Sequence, residues 1–210
     1  MASGVEGNRS ERKRLLILTS ATAIFAREGF SHAGMEHIAR DAGVSTATLY
    51  AHFPSKADLF RIVVESAIDG IAARVRATAH QKGDARERLT AFGLAYAEFY
   101  SDPVSRSLFR MVIAERRRFP DLAHHFRERG REELGGTALR ILSALADEGE
   151  LDLQKPSWAA GQLQGMIEHS TLLLGLISGD DAQPGRSLAT IVDDCVATFL
   201  ARYAVREKAA

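Results

Sequence analysis

The sequence predicts an all-α protein of nine helices, and three observations carry that prediction. Of the 210 residues, 33 are alanine, and Leu, Arg and Glu, which also favour helix, are plentiful. Apolar residues recur at three- and four-residue spacing, whereas no stretch shows the sustained Val/Ile/Thr alternation that a strand needs. Breakers such as Gly29, Gly43, Pro54, Pro103, Pro120 and Pro156 fall between the periodic runs.

The elements follow in order. Residues 1–8 are polar and contain glycine, and are expected to form a mobile tail. From Arg9 to Glu28, Leu15, Leu18, Ala21, Thr22 and Phe25 recur on one helical face, and Gly29 closes the helix as its C′ residue. A second, short helix is expected from about Met35 to Ala42 and a third from about Thr46 to His52, separated by Gly43, with Ser45 as N-cap. Ser55-x-x-Asp58 has the form of a capping box that opens a fourth helix. Its apolar face is Leu59, Ile62, Val63, Ala67, Ile71 and Val75, and no breaker intervenes until Gly83. At about 25 residues it would be roughly 37 Å long.

Asp84 opens a fifth helix through Phe92, Tyr96, Phe99 and Tyr100, punctuated by Asp102-Pro103. The sixth carries Leu108, Phe109, Val112 and Ile113 and ends before Pro120. The seventh runs from Asp121 to about Glu148, with Gly130 and Gly135-Gly136 predicting a bend or break. Pro156 and Ser157 begin the eighth, which carries Trp158, Leu163, Met166, Ile167 and Leu172 to Leu174. After a loop from Ser178 to Gly185, the ninth spans Arg186 to about Arg206, with Leu188, Ile191, Val192, Cys195, Val196, Phe199, Leu200 and Tyr203 on one broad stripe.

Composition excludes several classes of protein. The chain is 46% hydrophobic with 27 basic and 27 acidic side chains, too apolar and too nearly neutral for a disordered chain. A lone Cys195 excludes a disulfide framework and points to a reducing compartment. The runs Leu15 to Leu18 and Leu172 to Ile177 fall far short of the roughly 20 apolar residues of a bilayer span, and the N-terminus lacks the features of a secretory signal. A cytoplasmic protein that does not enter a membrane is expected. A net charge of zero argues at first against a nucleic-acid partner. Locally the balance differs: residues 1–56 hold 7 Lys and Arg against 5 Asp and Glu, and residues 57–210 hold 20 against 22. A mildly basic head thus precedes a mildly acidic body.

The segment from Gly29 to Lys56 is the most specific. Two short helices meeting at a large angle need a small residue at their contact and a glycine in the turn, and Ala39 and Gly43 supply these. Ile38, Val44 and Leu49 would fill the core between them. Such spacing fits a helix-turn-helix, whose second helix enters the DNA major groove, although other short helix pairs joined by glycine read alike.

The whole string resembles the TetR family of bacterial transcriptional regulators. The resemblance rests on Phe25 to Gly29, Met35 to Ala39, Ala42 to Ser45, and Leu49-Tyr50-Ala51-His52-Phe53-Pro54-Ser55-Lys56. The stretch Phe109 to Leu122, with Glu115-Arg116-Arg117-Arg118-Phe119-Pro120, looks like the AefR-type C-terminal domain. The resemblance implies an N-terminal three-helix DNA-binding head at 1–55 and a helical ligand-sensing and dimerisation domain at 56–210. Ser45, Thr46, Ala47 and Thr48 would stand in the first turn of the recognition helix, with Tyr50 and His52 directed at phosphates. Thr46 departs from the lysine common there, and Gly34 replaces the usual Ser or Thr. Lys56 opposes the macrodipole of its helix at a cost of a few tenths of a kcal/mol, and a phosphate docked there would turn that liability into a contact. Arg9, Arg12, Lys13 and Arg14 could reach flanking backbone or remain a solvated basic end. Leu49 and Phe53 are expected in the core.

For the remaining chain the resemblance implies a homodimer through the last two helices, whose apolar faces are broader than a monomer needs, and a palindromic operator. A small-molecule effector, apolar or amphipathic, would bind among Phe92, Tyr96, Phe99, Tyr100, Phe109, Phe126, Met166 and His169, near Trp158 and Met111. Its binding would release a repressor by swinging the fourth helix. An activator or dual regulator could carry the same head. No cofactor, metal site or catalytic residue is expected: Asp121-x-x-His124 is a single look-alike of a paired metal motif, and no nucleophile elbow, phosphate loop, HExxH or CxxC occurs. A helical-bundle enzyme is the remaining alternative. Cys195 reads as a small hydrophobe rather than a redox sensor, and Arg116 to Arg118 as a solvated surface.

Overall fold

Helical periodicity translates directly into structure in the computed structural model, which describes residues 3–179 and 184–205. The helices are α1 (Ser3–His32), α2 (Met35–Asp41), α3 (Thr46–His52), α4 (Lys56–Ala77), α5 (Ala85–Ser101), α6 (Pro103–Glu115), α7 (Pro120–Gly130), α8 (Gly136–Asp147), α9 (Pro156–Glu168), α10 (Leu174–Ser178) and α11 (Leu188–Tyr203). A π turn at Arg131–Gly135 joins α7 to α8, and another at His169–Leu173 joins α9 to α10. The eleven segments therefore make nine continuous helices among the described residues, with one isolated bridge, Leu151 to Ala204, as the only β pairing.

Several expected boundaries are corrected. The first helix begins at Ser3, not Arg9, so the predicted tail is helical from residue 3, and residues 1–2 lie outside the described residues. Gly29, at φ 76°, interrupts α1 where the sequence closes it, before one further turn to His32. Fourth-helix geometry ends at Ala77 after 22 residues and gives way to a 3₁₀ turn at Thr78–His80, short of Gly83. The glycines after Gly130 do not break the helix; a wider π turn absorbs the irregularity. The last helix stops at Tyr203; residues 180–183 of the expected loop and Arg206 lie outside the described residues.

Two compact units divide the chain: Met1–Ala67 with Ser107–His124, and Ile68–Arg106 with His125–Ala210. The division differs from the expected boundary at 55/56: α4 as far as Ala67 and the segment Ser107–His124 cluster with the N-terminal helices. In the first unit α1, α2 and α3 pack on one another over buried Ile17, Phe25, Ile38, Leu49 and Phe53. An aromatic cluster extends this core: Phe25 meets Phe60 edge-on at 5.4 Å, and Phe30 lies 5.0 Å from Phe60 and 5.1 Å from Phe119. Burying rings of this size, with edge-to-face geometry, supplies much of what holds so small a unit together.

The second unit packs α5 against α11 and α9. Asp84 caps α5 through a capping box with Glu87, the Asp84 side chain accepting from Glu87 N at 2.9 Å and Glu87 accepting from Asp84 N at 3.0 Å. Leu89, Phe92, Leu163, Ile167, Val192 and Phe199 fill the core between these helices. Buried Arg88 places a guanidinium nitrogen 2.8 Å from Glu148, so its charge is paired where water is scarce.

Candidate nucleic-acid interface

The α2–turn–α3 geometry arises from local chemistry. Met35, Ile38 and Ala39 bury one face of α2, and Gly43 takes φ 65°, which a side chain would strain, so the chain can reverse within three residues. Val44 N then donates to Ala39 O at 3.0 Å and closes the turn. Ser45 caps α3 as expected: its Oγ accepts from Thr48 N at 3.1 Å and lies 2.8 Å from Thr48 Oγ1. Leu49 and Phe53 are fully buried and anchor the helix, which leaves the opposite face outward.

The residues predicted from sequence are distributed on that face and just beyond it. Ser45, Ala47 and Tyr50 are exposed, and Thr46, Thr48 and His52 are half-buried. Tyr50 is 47% exposed, and neither its hydroxyl nor that of Thr46 makes a hydrogen bond among the described residues. The hydroxyls of Ser45 and Thr48 are already engaged in the cap. His52 sits with its ring 6.3 Å from that of Phe53. Of the N-terminal cations, Arg14 lies over Phe53, 5.7 Å from the ring centre; Arg9, Arg12 and Lys13 form no ion pair among the described residues.

Lys56 is the first residue of α4 and is held by groups that sequence reasoning did not find. Its ammonium donates to Ser31 O at 3.1 Å and lies 4.7 Å from the centre of the Phe30 ring. Burial, and then the positive charge of Arg118, lower its pKa, while Glu115 acts in the opposite sense. Ser55 gives half of the expected box: its Oγ accepts from Asp58 N at 3.1 Å, but Asp58 answers through the Ser55 hydroxyl at 2.6 Å instead of the backbone N–H.

The predicted effector residues are only partly brought together. On α5, the rings of Phe92, Tyr96 and Tyr100 follow one another at 5.4 and 4.8 Å, and Phe99 lies 4.5 Å from Tyr100. Phe126 and Met166 are half-buried, His169 is exposed at the start of a π turn, and Phe109 belongs to the first unit whereas the others belong to the second. Trp158 is 67% exposed, so it is not a core residue of this unit. Glu168 and Gln164 were missed: the Tyr96 hydroxyl donates to Glu168 Oε1, and Gln164 Nε2 donates to the Tyr96 hydroxyl at 3.1 Å. Glu168 lies two residues after Met166 and one before His169, but polar residues on an otherwise apolar helix gave no period that could single it out.

A helix-turn-helix with an outward recognition helix, joined in sequence to a separate helical unit, defines the class of DNA-binding regulators. Residues 17–63 match the family described as bacterial regulatory proteins, tetR family, and residues 87–205 match the AefR-like transcriptional repressor, C-terminal domain. The chain belongs to the TetR family. It is 38% identical over 95 residues to the transcriptional activator FasR of Mycolicibacterium smegmatis, covering 44% of this chain and 43% of FasR. It is 31% identical over 81 residues to the nucleoid occlusion factor SlmA of Vibrio atlanticus, covering 39% of this chain and 41% of that protein. The chain thus spans less than half the length of these curated relatives. Among solved structures, a TetR-family regulator from Mesorhizobium loti superimposes with a TM-score of 0.81 at 29% identity, covering 94% of this chain and 99% of that one. The flavonoid-responsive regulator FrrA gives 0.69 at 26%, covering 94% and 100%. Among the described residues no helix is long and apolar enough to cross a membrane.

Proposed function

We propose that this protein is a cytoplasmic transcriptional repressor that binds a palindromic operator as a homodimer and is released by a small molecule. The outward face of α3, with the free Thr46 and Tyr50 hydroxyls between a capped N-terminus and Lys56, carries the reading. Ser45, Thr46, Ala47 and Thr48 approach base edges and phosphates, Tyr50 and His52 bond the backbone, and the two ammonium hydrogens of Lys56 not used by Ser31 remain for phosphate. Trp158 at 67% and Ile177 at 76% exposure leave apolar surface on α9 and α10, which a second copy would cover. Two-fold pairing sets the recognition helices one DNA turn apart, about 34–36 Å, or somewhat more.

The effector would be apolar or amphipathic. It would lie against Phe92, Tyr96, Phe99, Tyr100, Phe126, Met166 and His169, and the Tyr96–Glu168 pair would offer a polar anchor. The helices whose sequences cross between units are α4, α6 and α7, and they are the route by which a ligand-favoured conformer would change the spacing of two heads. FasR is described as an activator, which favours activation as the second reading of the same head. Fluorescence anisotropy with labelled DNA flanking the protein's own gene tests the proposal. One preferred palindrome is expected, and equal affinity for random duplexes would overturn it.

A further inference from the structure

The arginine run that follows α6 has no role in the function proposed above, yet the fold carries Arg118 to the start of α4. Arg118 lies over two rings, 4.9 Å from the centre of Phe30 and 5.4 Å from that of Phe119. Lys56 shares the Phe30 ring at 4.7 Å, and Ser31 Oγ reaches Glu115 at 3.5 Å. A sequence some sixty residues later in the chain is thereby fixed beside the first residue of α4. Arg116, Arg117 and Arg118 are all exposed.

Pairing separates these cations from several of the other unit. There, Arg76 pairs with Glu133, Arg88 with Glu148, Arg129 with Asp69 and Arg186 with Asp194. None of Lys56, Arg116, Arg117 and Arg118 forms an ion pair among the described residues, even with Glu115 nearby. Arg116 gives one hydrogen bond, to Ile113 O at 2.7 Å, and Arg117 gives none. Lys56 and Arg118, held over one ring, repel each other, Glu115 offsets that only in part, and Arg116 and Arg117 add two further cations next in sequence; a polyanion relieves the repulsion. The unit containing 1–67 and 107–124 holds 12 Lys and Arg against 9 Asp and Glu, and the other holds 15 against 18. The arginine run therefore contributes largely to the positive sign of the first.

We propose that Arg116 and Arg117, positioned by the Arg118–Phe30–Lys56 stack, bind DNA phosphates beside the recognition helix and extend the interface beyond the helix-turn-helix. The contact is to backbone and carries no base sequence. It rests on the DNA-binding reading above. Arg118 holds the cluster in place, Lys56 adjoins it, and Arg117 is the purest probe because no other group depends on it.

The test measures binding of the full chain to a random 30-base-pair duplex and to the duplex flanking its own gene, across a salt series. Arg117→Ala should reduce the slope of log K against log salt by about 0.9 for each phosphate that is no longer neutralised, and weaken both duplexes by the same factor, about eightfold per phosphate at 0.1 M salt. Arg117→Lys should restore most of the slope, since a point charge suffices. Circular dichroism should be unchanged in both. An unaltered slope in Arg117→Ala, with the unmodified protein binding normally, overturns the inference and leaves the helix-turn-helix reading standing. Weakening confined to one of the two duplexes also overturns it. Failure of the unmodified protein to bind either duplex removes the DNA-binding reading, and this inference with it.

Discussion

Burial on α5 sets the chemistry of two tyrosines. Loss of water raises the Tyr96 phenol well above its usual value of 10, and Tyr100 and the Glu168 carboxylate push it further. Tyr100 is raised for the same first reason. Both bind their protons longer folded than unfolded, so the stability they contribute is complete below about pH 10 and is lost as pH rises through their folded values. Phenolate absorbance of the native protein at about pH 11 should account for at most two of the four tyrosines, and for all four after unfolding. Ionisation of all four in the folded chain would show that Tyr96 and Tyr100 are wetter than the structure has them. At Gly93 the constraint is space. An added Cβ would lie 2.6 Å from Val192 Cγ1 and 3.4 Å from Ile167 Cδ1, both in a closed core. Gly93→Ala should cost about 1–3 kcal/mol, read as a lower thermal midpoint. Cys195 is half-buried, and burial, with Asp194 second, raises its thiol pKa, which keeps it protonated and a poor nucleophile.

Among the elements, α3 shows how a short helix is held rigid. Seven residues cannot hold a helix by themselves; the Ser45 cap and the buried Leu49 and Phe53 supply what propensity does not. Ser45→Ala should cost about 1 kcal/mol. Ser45→Asp should keep the cap and the stability but bind DNA less tightly than the serine protein, because it places a carboxylate against phosphates. Equal affinity would mean that Ser45 does not face the backbone. The two π turns illustrate the limits of sequence punctuation. Gly130 and Gly135-Gly136 signalled an irregularity at the first, though not its form. The second, at His169–Leu173, has no glycine within it; Thr171 is buried there and donates to Ile167 O at 2.8 Å, a packing requirement with no local signature. The fourth helix gave the same lesson at its end, where the 3₁₀ turn is fixed by Thr78 Oγ1 donating to Val75 O at 2.6 Å, upstream of the glycine that sequence offered as the stop.

For the whole molecule, charge segregation matters more than the neutral total. Among the described residues, Lys56, Arg116, Arg117 and Arg118 of the unit that contains α3 make no ion pair, whereas Arg76, Arg88, Arg129 and Arg186 of the other unit pair with carboxylates. DNA affinity should therefore fall steeply with salt although the net charge is zero; a flat salt response would contradict this. Assembly belongs to the same scale. Ile177→Glu, at a site 76% exposed, should leave the helical content intact but shift sedimentation toward the monomer and weaken operator binding with it. A dimer that survives the substitution would place the two-fold interface elsewhere.

The sequence by itself determined the helical class, the order of the helices and the turn between α2 and α3, because period, capping and glycine act within a few residues of one another. It also marked Ser45 to Lys56, since those residue types stand on one short helix and the start of the next. Only the tertiary structure decided that Ser107–His124 joins the N-terminal unit, that Arg118 and Lys56 both lie against the Phe30 ring, and that Glu168 meets Tyr96. Those contacts join residues roughly 25 to 90 positions apart, where neither periodicity nor propensity carries information, and where the shape of the packed core selects which charges come to lie together.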